Sequence, residues 1–265
     1  MTEHSVKKEQ LINWKILKQS EGQIMATNAY ALLTSDYFPF SKTQCAVFKG
    51  TDRAVFLDKR EFTGPIYAQI ESAVDFVLRN IRLGARIDGL VRKEKYELPL
   101  EAIREMIINA HCHRNLLDES CIQVAVYDDR LEVTSPGGLY NGLTYEEVMN
   151  GHSKIRNKAI ANIFSQMGLV EAWGSGIKRI FNAAKEYGLL EPKFQEFDNM
   201  FRVELFRSSL PMTLENKNIG EASEKHRRNI GEASEKQETV DFNSTQLEIL
   251  KLLMENNRLS AVKLA

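Results

Sequence analysis

The stretch from Glu101 to Leu139 constrains this chain more than any other. It reads as one helix, EAIREMIINAHCHRN, then a strand pair, CIQVAVYDDRLEVT, then a glycine turn, SPGGL. Pro99 suits the first helical position and pushes Leu98 before it into an extended conformation. Leu100, Ile103, Ile107 and Ala110 recur at helical spacing and predict a buried stripe. Glu105, Asn109 and His113 lie four residues apart and stack on another face. An acid, an amide and an imidazole in one line are costly to bury without a function; the plain alternative is a solvated face. Asp128 and Asp129 read as the turn of the strand pair.

A second glycine motif follows. Glu171-Ala172-Trp173-Gly174-Ser175-Gly176 opens directly into IKRIFNAAKEYG. A glycine turn that feeds a helix N-terminus is a ready anion site, because free N–H groups and the helix dipole point the same way.

Taken in order, the motifs are E-x-x-x-N-A, a strand pair ending in P-G-G, and G-S-G at a helix start. This order resembles the Bergerat-type ATP-binding fold shared by gyrase, Hsp90, histidine kinases and MutL. More closely, the chain is similar to bacterial proteins labelled RecG-related or divergent AAA-4, in which this fold follows a Schlafen AlbA-like domain. The residues carrying the match are Glu105 to Ala110, Tyr127 to Leu139, Gly151 to Asn157 and Glu171 to Gly176, within a resemblance that runs from about Leu11 to Arg207.

The resemblance implies an α+β fold: a Bergerat-like sandwich, with a mixed, mainly antiparallel sheet and helices on one face. It implies ATP and Mg²⁺ as cofactors. Asn109 matches the asparagine that holds Mg²⁺ against the phosphates, in keeping with the oxygen ligands this ion takes. Glu105 matches the glutamate that orients or deprotonates the attacking water, a general-base role. Gly174 and Gly176, with Ser175 between them, match the second glycine box. Gly137 and Gly138 occupy the first box. Where the fuller family has an aspartate that reads the adenine amino group, this chain has Ser135, which leaves adenine specificity, and ATP itself, open.

The segment Gly151-His152-Ser153-Lys154-Ile155-Arg156-Asn157 carries two readings. By resemblance it is a lid, with Lys154 or Arg156 facing the phosphates. By local pattern Asn157 caps a helix whose apolar line is Ile160, Ile163, Phe164 and Met167, ended by Gly168.

Composition narrows the class. A chain of 265 residues with 43% apolar and 27% charged residues is long enough for one or two domains with a core. The formal net charge of −1 gives no global attraction to nucleic acid. Cys45, Cys112 and Cys121 are an odd number without a C-x-x-C pair, which points to reduced thiols and a cytoplasmic protein. No apolar run is long enough to span a bilayer. His111 and His113 flank Cys112, but two histidines at i, i+2 on a helix point apart, which argues against a metal site.

The remaining segments give an expected domain order. Residues 1–62 are a partial AlbA-like, winged-helix-like segment: helix, tight turn and helix over Leu11 to Leu33, then strands at Cys45–Phe48 and Ala54–Leu57. The basic residues Lys49, Arg53, Lys59 and Arg60 there offer a phosphate-backbone contact or plain surface charge. Residues 63–207 are the ATP-binding domain. It contains a helix from Pro65 capped at Thr63 or Gly64, with Ile66, Ile70, Val74, Val77 and Ile81 buried. A strand pair over Arg86–Tyr96 turns near Lys93-Glu94, Thr144-x-x-Glu147 is a capping box, and a closing hairpin turns at Asp198-Asn199. Residues 208–243 are a linker in which Asn218–Lys225 recurs, identical, as Asn229–Lys236. Residues 244–265 resemble the entry to a winged helix-turn-helix whose third helix is missing. Relative to the resembling proteins, the chain reads as short at both ends.

Three functions follow from this reading. The first is a divergent ATP-binding module, hydrolysing or not, of a DNA-associated and transcription-regulatory protein. The second is a pseudo-ATPase that serves dimerisation or interaction without turnover. The third, an ATP-dependent helicase, is disfavoured because the chain has no G-x-x-x-x-G-K-[ST] loop and no pair of motor domains. The implied partners are a nucleotide, DNA through the incomplete segments, and a second copy of the chain.

Overall fold

The computed structural model describes residues 7–88, 91–169 and 176–208. Gly174, Ser175, the repeat and the winged-helix entry lie outside them.

The chain opens with a short helix, α1 (Lys8–Asn13), a hairpin of β1 (Leu17–Ser20) and β2 (Gln23–Ala26), and a second helix, α2 (Asn28–Thr34). The hairpin corrects the expected helix–turn–helix. Lys15 takes a φ of 63°, which ends α1, and Glu21 and Gly22 take φ of 50° and 75°, which turn β1 into β2. The expected helical residues Ile16 and Leu17 instead form a bend and the start of β1, and both are buried in the core.

Next come β3 (Thr43–Phe48), β4 (Phe56–Phe62) and the helix α3 (Ile66–Asn80). Pro65 itself is the cap of α3, and all five residues expected on its apolar line are buried. A separate hairpin follows, β5 (Leu83–Asp88) with β6 (Val91–Tyr96). Asp88 pairs with Val91 and Arg86 with Lys93, so Lys93 and Glu94 lie within a strand and not at the turn. The long helix α4 (Leu100–His113) leads into β7 (Ile122–Val126) and β8 (Arg130–Pro136). A 3₁₀ turn at Tyr140–Gly142 precedes α5 (Tyr145–Met149), whose cap Thr144 accepts from the Glu147 amide while Glu147 accepts from the Thr144 amide. The chain continues through α6 (Lys158–Gln166) and α7 (Gly176–Glu186) to the closing hairpin β9 (Lys193–Phe197) and β10 (Met200–Phe206). Asp198 and Asn199 both have positive φ, 46° and 58°, as a two-residue primed turn requires.

Six strands form one sheet in the order β4-β3-β7-β8-β10-β9. β3 and β7 run parallel and the other neighbours antiparallel, so the fold is α+β with a mixed, mostly antiparallel sheet. A parallel pair needs a long crossover; here α3, the β5–β6 hairpin and α4 supply it. The sheet crosses the expected boundary at residue 62. β3 belongs to it because Cys45, Val124, Val133 and Val203 form one cross-strand row, all buried, and β4 pairs antiparallel with β3.

That row faces the helices. On α4, Ile103, Ile107 and Ala110 are buried as expected, but Leu100 is 40% exposed, because it starts the helix at the edge of a surface groove. The opposite face of the sheet combines a small apolar cluster of Phe48, Ala125 and Tyr127 with charged groups. Glu132 is buried there and takes Arg130 at 2.6 Å and Arg53 at 3.4 Å. Burial and the neighbouring Glu132 hold the Glu204 carboxyl above the usual range.

Candidate functional site

Helix α4 is the floor of the site. Its Glu105, Asn109 and His113 line one cavity of about 150 Å³, so this face is not a solvated one. The roof comes from Ser135, Gly137 and Gly138 at the end of β8, from His152 to Ile155, and from the start of α7. Phe194 and Phe201 close one side, with ring centroids 6.1 Å apart. Glu105 and His113 are two helical turns apart, about 12 Å along the axis. The cavity therefore has two chemically distinct ends.

At the first end, Glu105 is 5% exposed. Its Oε1 accepts a hydrogen bond from Asn109 Nδ2 at 3.0 Å, and its Oε2 lies 3.4 Å from Arg179 of α7. Gly176, the first residue of α7, is pressed against this pair. A β-carbon there would collide with Glu105 Oε1 and stand 3.0 Å from Asn109 Nδ2. Burial and the nearby Glu105 carboxylate push the Cys112 thiol up to about 12, so it stays protonated.

At the second end, Gly137 has a φ of 96° and donates its N–H to the Asn199 carbonyl at 2.6 Å. Arg156 Nη2 donates to the Gly138 carbonyl at 2.7 Å, and its guanidinium lies over the Tyr140 ring. Ser135 is buried in the wall. Burial, and secondarily Arg156, push the His113 imidazole down to about 4. It is neutral near pH 7 and offers one donor and one acceptor.

Between the ends, Lys154 Nζ donates to the Asn141 carbonyl at 3.0 Å. Asn157 does sit at the cap position of α6, but its side chain does not cap; Nδ2 donates instead to the Arg114 carbonyl at 2.8 Å. His111 lies on another side of α4, 3.2 Å from Thr43 Oγ1 and away from the cavity. On the far sheet face Arg53 donates to the Tyr127 hydroxyl and Gln123, which ties it into the surface.

Sequence reasoning missed three residues. Arg179 pairs with Glu105, Lys178 Nζ reaches the start of the Gly151–Asn157 segment, and Glu196 of β9 lies over Gly138. The run IKRIF showed that cations follow the second glycine box, but not which one turns inward.

Residues 119–205 match the family described as "Putative ATP-dependent DNA helicase recG C-terminal". That stretch is similar to a RecG-related, ATPase-like domain. The crystal structure of the DIP2311 protein from Corynebacterium diphtheriae superposes with a TM-score of 0.64 at 22% identity. The match covers 76% of this chain and 41% of that one, so this chain spans less than half of its length. Among curated proteins, none matches this chain. Among the described residues, no helix is long and apolar enough to cross a membrane.

Proposed function

We propose that this chain carries a divergent, Mg²⁺-dependent ATP-binding module of Bergerat type, within a DNA-associated and transcription-regulatory protein. The observation that carries the reading is the meeting of Glu105, Asn109 and Gly176 at one end of a cavity. A carboxylate stands one helical turn from an amide, and both touch the glycine that opens a helix.

These residues fit the metal. Because Asn109 Nδ2 donates to Glu105, its Oδ1 is turned away as a hard oxygen ligand, which Mg²⁺ prefers. Asn109 would hold the ion, which would neutralise phosphate charge. Gly176, with Gly174 and Ser175 before it, would let phosphates approach the start of α7, where a side chain has no room. Glu105 would accept the proton of the attacking water. Gly137 and Gly138 would shape the opposite wall, Lys154 the covering segment, and Arg156 the first glycine turn.

The domain order proposed with this function is an AlbA-like segment over 1–62 whose β3 and β4 extend the sheet of the ATP-binding domain over 63–207, then a linker over 208–243 and a winged-helix entry over 244–265. The DNA-associated role rests on the motif resemblance and on the wording of the matching family. A test is a thermal shift with Mg²⁺-ATP, Mg²⁺-ADP and Mg²⁺-GTP. At about a hundred times the dissociation constant a ligand adds about 2.7 kcal/mol to stability; no shift with any nucleotide overturns the reading.

The Glu105–Arg179 pair favours a second reading, binding or dimerisation without turnover. A carboxylate already engaged by a guanidinium is a weaker base. A nucleotide shift in a protein that releases no phosphate selects this alternative.

A further inference from the structure

We infer that Glu196 is the base-reading residue of this site, accepting the exocyclic amino group of the bound purine. This rests on the nucleotide reading above. Three observations carry it.

The first is register. Phe201 of β10 pairs with Ser135 on one side and with Glu196 on the other. Side chains directly opposite one another in a sheet share a face. Ser135 and Phe201 both line the cavity, so Glu196 shares that face of the sheet; it stands outside the lining itself, against Gly138 at the rim.

The second is the fit on Gly138. A β-carbon at Gly138 would overlap Glu196 Oε1, with Cδ at 2.7 Å and Cγ at 3.2 Å. The carboxylate thus lies flat on the backbone of the first glycine turn.

The third is charge. Among the described residues that line the cavity, the one carboxylate is Glu105, and it is engaged by Asn109 and Arg179 at the far end. Beside the Arg156 guanidinium, which is held on the Gly138 carbonyl, the second end presents a hydroxyl on Ser135 and a neutral imidazole on His113. Each of these serves as donor or acceptor and cannot by itself distinguish an amino group from a carbonyl. Glu196 is an acceptor-only group beside them. A site that offers an ionised acceptor to an N–H favours the ligand that has it over the analogue that lacks it.

The test compares Mg²⁺-ATP with the Mg²⁺ complex of purine riboside triphosphate, which is ATP without the amino group. Affinities are measured by titration calorimetry on the full chain and on Glu196→Ala, a change on an exposed edge strand. The expected result is about tenfold tighter binding of ATP by the wild type, and near-equal binding of the two ligands by Glu196→Ala. Equal binding by the wild type overturns the inference. So does a preference that survives in Glu196→Ala, which assigns base reading to Ser135 or His113. If neither triphosphate binds the wild type, the nucleotide reading itself has failed.

Discussion

Gly176 and Glu105 touch so closely that a β-carbon on the glycine would collide with the glutamate Oε1. The contact joins the floor helix α4 to the first residue of α7. Glu105 is buried and held from two further directions, by Asn109 and Arg179, so it cannot swing aside cheaply. Gly176→Ala is therefore expected to destabilise the fold by about 1–3 kcal/mol, as overpacking does. It is also expected to reduce nucleotide affinity, because the start of α7 must move. Chemical denaturation and calorimetry with Mg²⁺-ATP measure the two effects. An alanine variant as stable as the wild type would show that α7 is not docked on Glu105.

Arg179 gives a second prediction. Removing one partner of a buried ion pair leaves the other charge stranded, at about 3–5 kcal/mol. The Arg179 side chain is 25% exposed, against 6% for Glu105, so water screens part of that loss. Arg179→Met is expected to destabilise by about 1–2 kcal/mol. Glu105→Gln/Arg179→Met is expected to recover part of that loss, because a neutral amide no longer needs the cation. A double-mutant cycle by urea denaturation reads the coupling; strict additivity would mean that the pair contributes nothing.

The parts of this fold legible in the sequence are those where local pattern and tertiary demand agree. The apolar line of α3 and the turn at Asp198-Asn199 each carry a local signal strong enough to fix the element. Other parts depend on partners far away in sequence. β4 was expected at Ala54–Leu57 and runs over Phe56–Phe62. It is an edge strand, and its Asp58, Lys59, Arg60 and Glu61 give no alternation to read. The β1–β2 hairpin hides for a related reason: β1 contributes Leu17 alone to the core, and its remaining residues are polar. In the site, the spacing of Glu105, Asn109 and His113 was visible because helices repeat every three to four residues. Arg179 and Glu196 reach the site through α7 docking and through strand register, and neither leaves a mark in local sequence.

Two histidines, His111 buried and His113 half-buried on the cavity wall, predict an acid-sensitive fold. Burial, aided by Arg114, pushes His111 down to about 3, and burial, aided by Arg156, pushes His113 down to about 4. Both folded values lie below the ordinary value of 6.5. Below about pH 6.5 the unfolded chain binds protons that the folded chain refuses. This contribution to stability is therefore complete above about pH 6.5 and declines as pH falls toward 4 for His113 and 3 for His111. Each histidine adds a slope of up to about 1.4 kcal/mol per pH unit within its window. Urea denaturation at pH 7, 6 and 5 should show stability falling with acid, and His113→Gln should flatten that fall. A variant with the wild-type slope would mean that His113 is protonated in the folded protein.

Glu105 and Asn109 sit one turn apart, and exchanging each in turn separates binding from chemistry. Glu105→Gln keeps the size of the side chain and an oxygen that accepts from Asn109, but removes the negative charge. Mg²⁺-ATP affinity is expected to stay within a few-fold, while phosphate release falls by about 10²–10⁴-fold, the usual worth of a positioned base. Asn109→Ala removes the oxygen that faces away from Glu105, and with it the Mg²⁺-dependent part of the ATP-induced thermal shift. Mg²⁺ titrations at fixed ATP isolate that part. If Asn109→Ala keeps its Mg²⁺ dependence, the ion is held elsewhere and the role given to this amide is wrong. If Glu105→Gln releases phosphate as fast as wild type, Glu105 is a structural anchor for Arg179, and the observed turnover belongs to another group.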